Sequence, residues 1–144
     1  MIIIFVYDLR WYLILDVVTL PAIAILFVLN LALGFSWQNI LFCGIIGSSF
    51  FLAQFLVSHG RWIGGGDIRL GALMGVALAN VYQLALALFL AYCLGSIVGI
   101  GLILSGKKQW SSRLPLGVFL STTTVIVLFC GQQIIDWYLN RILF

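Results

Sequence analysis

Charge is what this sequence has least of. Only 8% of its 144 residues are Asp, Glu, Lys or Arg, against about 25% in ordinary soluble domains. Hydrophobic residues make up 64%, where about 45–50% is usual. These values exclude a soluble globule of this size. A chain of this length has room for one domain, residues 1–144, and its solvent must be largely lipid. Since a backbone in hydrocarbon has to satisfy its hydrogen bonds internally, the expected fold is all-α, a polytopic transmembrane helical bundle.

Other absences narrow the function. No basic stripe interleaved with aromatics is present, so nucleic acid is not an expected partner, and the net charge of +3 reads as membrane topology and affinity for anionic head groups. Cys43, Cys93 and Cys130 are far apart, and each lies in an apolar segment. They read as small buried residues rather than metal ligands or disulfide partners. His59 has no carboxylate or cysteine at ligand spacing and reads as structural. No metal and no cofactor are expected. The two halves show no self-similarity, which a transporter built from matched broken helices would display.

The apolar segments are bounded by the few charges. After a short stub, residues 1–6, long segments run at 17–35, 39–57, 84–104 and 117–139, each near the ~20 residues needed to span a bilayer. Residues 71–79 are too few for a full crossing and predict a short, tilted or re-entrant helix, of the kind tolerated only where protein or water covers its freed backbone. Arg10, Arg61, Arg69, Lys107, Lys108 and Arg113 fall in three connections that share one side if the short segment crosses, with Arg141 alone opposite. The bias of basic residues makes the shared side cytoplasmic. Asp136 then falls at the opposite interface. Tyr82, Trp110, Trp137 and Tyr138 suit interfacial anchors, and the Gly95-x-x-x-Gly99 spacing suits close helix packing.

Among so few charges, two acids stand out. Asp67 lies in Gly64-Gly65-Gly66-Asp67-Ile68-Arg69-Leu70, and Asp8 in Val6-Tyr7-Asp8-Leu9-Arg10. Moving an ionised side chain towards hydrocarbon costs roughly 2.5–3.5 kcal/mol on insertion scales, so an acid at such a boundary is functional by default. Two carboxyls brought within hydrogen-bond range cannot both ionise easily and tend to share a proton, one serving as base and the other as acid. The glycines can adopt positive φ or allow close backbone approach to a substrate.

The pattern resembles the type IV prepilin leader peptidases and their archaeal preflagellin relatives. Family members carry one Asp in Asp-Leu-Arg-x-x-x-Ile-Pro-Asn-x-x-Thr-Leu-Pro and a second in Gly-x-Gly-Asp-x-Lys-Leu. Here these read Asp8-Leu9-Arg10-Trp11-Tyr12-Leu13-Ile14-Leu15-Asp16-Val17-Val18-Thr19-Leu20-Pro21 and Gly64 to Leu70. The stretch from Arg113 to Leu120 echoes a late Pro-Phe-Gly-Pro-Phe-Leu segment. The resemblance implies a membrane aspartyl endopeptidase of the inner, cytoplasmic membrane, with Asp8 and Asp67 catalytic, Gly64, Gly65 and Gly66 against the substrate, and Arg10 and Arg69 as site support. It implies prepilin-like or pseudopilin precursors as partners, cut after a basic leader at the cytoplasmic boundary. Two Cys-x-x-Cys pairs that many members associate with N-methylation are missing, so no zinc and no methyl transfer are expected. Members normally begin with a full membrane helix, which makes the stub of residues 1–6 look truncated. Asp16 reads as a solvated or interfacial acid. Tyr7-Asp8 with Gly-x-Gly-Asp also resembles the longer presenilin and signal peptide peptidase group, whose late Pro-Ala-Leu motif is absent. A proton or ion transporter is the remaining alternative.

Overall fold

The computed structural model describes residues 1–106 and 115–142, and these form six helices and no strands. They are α1 (Ile2–Trp11), α2 (Asp16–Ala32), α3 (Trp37–Ser58), α4 (Gly65–Leu78), α5 (Val81–Leu104) and α6 (Leu116–Ile142). Helices α3, α5 and α6 are long and apolar enough to cross a membrane, while α2 is a shorter apolar helix of 17 residues. The four long segments expected from the sequence become α2, α3, α5 and α6, and the stub is the start of α1, which carries Asp8. Lys107, Lys108 and Arg113, used in the charge argument, and Trp110, read as an interfacial anchor, lie outside the described residues.

Helix α4 is the axis of the bundle. Leu70, Gly71, Leu73, Met74, Gly75, Val76 and Leu78 are all buried, and α2, α3, α5 and α6 each pack against it. A helix wrapped by protein need not match the bilayer in length, which is why 14 residues suffice. It is longer than the expected 71–79 because the glycine run is not a loop: Gly65, Gly66 and Asp67 form its first turn and Gly64 is its N-cap, with φ −86°.

Glycine also sets a close contact between α3 and α4. A Cβ on Gly71 would strike the Gly47 carbonyl, and one on Gly75 the Cys43 carbonyl. At Gly95, where the sequence also suggests close packing, a Cβ would meet the Phe119 ring at 3.5 Å, an ordinary contact. The pairing of Gly71 with Gly47 and of Gly75 with Cys43 fixes an antiparallel register that puts Asp67 level with Phe51. Seven residues at 1.5 Å each place it about 10 Å inside the end of α3 at Ser58.

The far end of α4 is tied down by amides. A helix leaves its last carbonyls without intrahelical partners. Asn30 Nδ2 of α2 donates to the Val76 carbonyl at 2.7 Å, and Asn39 Nδ2 of α3 donates to that of Ala79. Asn80 then caps α5, its Oδ1 accepting from the Tyr82 and Gln83 N–H groups. His59, held to a structural role by the sequence, ends α3 in the left-handed region at φ 51°. Cys43 is buried, but Cys93 is only partly so and Cys130 is exposed on α6, because the outer face of a membrane bundle is apolar too.

Replacing Gly75 by Ala pushes the Cys43 backbone away, and overpacking of this kind typically costs about 1–3 kcal/mol. Asn30→Leu strips the Val76 carbonyl of its partner, at about 1–3 kcal/mol. Both variants should melt below the parent protein in detergent, whereas Gly101→Ala, with open space around the new methyl group, should not.

Candidate functional site

Asp8 and Asp67 reach one cavity from different directions. Asp8 sits near the end of α1 and Asp67 in the first turn of α4, and both line a cavity of about 1150 Å³. They are 5% and 9% exposed. Buried carboxyls need hydrogen-bond donors, and here the backbone supplies them. The Val118 N–H at the start of α6 donates to Asp8 Oδ2 at 2.9 Å, and the Gly117 N–H also bonds that carboxyl. A Cβ on Gly117 would lie 2.8 Å from Asp8 Oδ2, so glycine is what lets the helix terminus close on the acid. Asp67 is held by its own turn, its Oδ2 accepting from the Gly64 N–H at 2.9 Å while its N–H donates to the Gly64 carbonyl at 3.1 Å.

Both acids therefore sit at helix N-termini, whose dipoles favour the ionised form, and both are buried, which favours the neutral one. Burial wins in each case. It raises Asp8 above the ordinary carboxylate value, opposed by the N–H groups of Val118 and Gly117. It pushes Asp67 up to about 6, opposed by the Gly64 N–H and reinforced by the charge of Asp8. No hydrogen bond joins the two carboxyls directly, so the expected shared proton is replaced by coupling through charge, each acid spending an oxygen on backbone N–H groups.

The other expected site residues divide. Gly64, Gly65 and Gly66 all line the cavity, but Gly66 does not need positive φ, since it is helical. A Cβ there would come within 2.9 Å of Ile14 Cβ, so its constraint is packing against the α1–α2 connection. Gly65 alone of the three has open space where a side chain would be. Arg69 lines the cavity, paired with Asp16 in an ion pair whose partners are both about half exposed. Asp16, set aside as an interfacial acid, is thus at the cavity mouth. Arg10 does not line it and lies 5.9 Å from the Trp11 ring centroid. Asp136 stands far along α6, accepting from Gln132 Nε2 at 2.9 Å. Sequence reasoning missed Gly117 and Val118 as the clamp on Asp8, though both lie in the late echo, and it missed Gln54 and Tyr92, which join across the cavity wall.

Buried, backbone-held carboxyls in a multi-pass helical bundle define a membrane protein with an acid pair facing a shared cavity. The chain belongs to the type IV leader peptidase family, whose model matches residues 1–100, a stretch that includes both acids. It is 30% identical over 108 residues to a prepilin leader peptidase/N-methyltransferase of Bacillus subtilis (strain 168), covering 75% of this chain and 43% of that protein. It is 32% identical over 78 residues to the protein of the same name from Legionella pneumophila, covering 54% of this chain and 27% of that one. The chain thus spans less than half the length of these curated relatives. No solved structure matches it.

The raised carboxyl of Asp67 has a consequence for stability. Its folded value, about 6, lies above its ordinary 3.8, so the folded state is favoured while the group stays protonated and loses that advantage as pH rises through about 6. Asp67→Asn, neutral at every pH, should melt higher than the parent at pH 8 and close to it at pH 4. Equal melting temperatures at pH 8 would show that Asp67 is not buried as described.

Proposed function

We propose that this protein is a membrane aspartyl endopeptidase that removes the leader from type IV prepilin-like precursors at the cytoplasmic face of the inner membrane. The observation that carries the reading is the burial of two carboxyls in one cavity of a chain belonging to this family. No specific observation favours the presenilin-like or transporter alternatives.

The two environments suggest a division of labour. Asp8 accepts two backbone N–H groups and Asp67 one, so Asp8 is the acid better supported as an anion. Asp8 takes a proton from a water as its oxygen attacks the scissile carbonyl carbon. Protonated Asp67 hydrogen-bonds the carbonyl oxygen, which carries the negative charge of the tetrahedral intermediate. Collapse of the intermediate breaks the C–N bond, and a carboxyl proton passes to the leaving amine. Gly65, with no side chain and open space before it, lets a peptide backbone lie close to Asp67. The Arg69–Asp16 pair at the mouth holds the start of α2 against α4, a positioning role.

Co-expression with prepilin-like precursors, read by mass spectrometry, tests this. Asp8→Asn and Asp67→Asn should each abolish leader removal while membrane insertion persists, and Asp16→Asn should keep substantial activity. Because the general acid must be protonated, kcat/KM of the purified enzyme should fall as pH rises through about 6. Normal processing by Asp67→Asn would end the proposal.

A further inference from the structure

The register of α3 against α4 leaves Asp67 level with Phe51, within the part of α3 apolar enough to span a membrane. A peptide bond brought to that depth continues, on one side, into the bilayer. Chain in hydrocarbon must stay helical until protein or water takes over its N–H and C=O groups. The site therefore requires two things next to each other: an apolar seat for a helix, and polar groups where that helix unwinds.

Both occur between α3 and α5. These two helices touch only slightly, and an apolar groove of about 450 Å³ opens between them, walled by Ile46, Phe50, Leu84, Ala85, Leu88 and Phe89. Tyr92 stands at its end and lines the aspartate cavity as well, so groove and cavity adjoin at this side chain. Tyr92 Oη donates to Gln54 Oε1 at 2.9 Å, and the Phe50 ring meets Tyr92 edge-on with centroids 5.9 Å apart. Gln54 and Tyr92 belong to membrane-length helices, where hydrogen-bonding side chains carry a penalty and usually serve a function. An acyl chain in the groove would bring nothing for this pair to bond. A helix that unwinds there brings freed backbone groups.

We propose that the α3–α5 groove seats the apolar helix following the cut in the substrate, and that Gln54 and Tyr92 receive the backbone freed where that helix enters the cavity. This rests on the peptidase reading, but its principal test needs no turnover. A benzophenone amino acid replaces Phe89 in the Asp67→Asn protein, in nanodiscs with a prepilin-like precursor. The control position is Ile97, exposed on α5 and lining neither groove nor cavity. Irradiation should attach the precursor through its apolar helix at position 89 and not at 97. Adducts with lipid alone, or equal yields at the two positions, would overturn the proposal. A second measurement uses Ala85→Trp, which fills the groove from an exposed position. It should raise KM for the full precursor about tenfold and leave unchanged the cleavage of a peptide that stops just past the cut. Unchanged kinetics on both substrates would count against the groove. Failure of the unmodified enzyme to cleave either one counts against the peptidase reading, and the cross-link then decides the docking surface by itself.

Discussion

Everything in this molecule turns on how a carboxylate can be kept inside a lipid-facing bundle. Burial alone would hold Asp8 and Asp67 neutral; the N-termini of α6 and α4 offset it with backbone N–H groups. A helix start offers such donors in a cluster, and both acids sit where one begins, Asp67 at α4 and Asp8 against α6. That accounts for glycine at both places. Gly117 allows α6 to close on Asp8, and Gly64 caps α4 in a turn that Asp67 completes. A second constraint follows, since a helix begun at Asp67's depth is short, and its other end needs Asn30 and Asn39 to take up its last carbonyls.

The close contact of α3 with α4 transmits this arrangement to the cavity. With only hydrogen atoms at Gly47, Gly71 and Gly75, the backbones approach far enough to fix the register, and the register sets the depth of Asp67. Dispersion and backbone packing replace the hydrophobic drive that is absent between helices in lipid. The site is then shaped by rigid elements, with the α1–α2 connection packed on Gly66 through Ile14.

Much of the fold was legible because the charges are few: the long helices lie within a few residues of the apolar segments they punctuate. What stayed hidden depends on distance in the chain. The glycine run reads as a helix breaker, and only the Gly64–Asp67 hydrogen bond reveals it as a helix start. Asp8 and Val118 are 110 positions apart, and Asp16 and Arg69 are 53, so neither pairing leaves a local pattern. Gly71-x-x-x-Gly75 has the same spacing as Gly95-x-x-x-Gly99; what marks the first pair is its partner helix, since α3 brings Gly44 and Gly47 into the contact. The acids themselves were the easiest residues to find, because an ionisable group among apolar residues carries a penalty that structure alone does not justify.

Titration of the carboxyls bears on the central claim that Asp8 and Asp67 act as one electrostatic unit. The four acidic residues, Asp8, Asp16, Asp67 and Asp136, are all aspartates, so carbon-13 labelling of the aspartate carboxyls gives a spectrum that can be assigned by single substitutions in detergent. Asp67 should titrate at about 6, and Asp8→Asn should lower that value while leaving it above 3.8, because the neighbouring charge is gone and the burial remains. A value near 3.8 in the parent protein, or one unmoved by Asp8→Asn, would contradict the account.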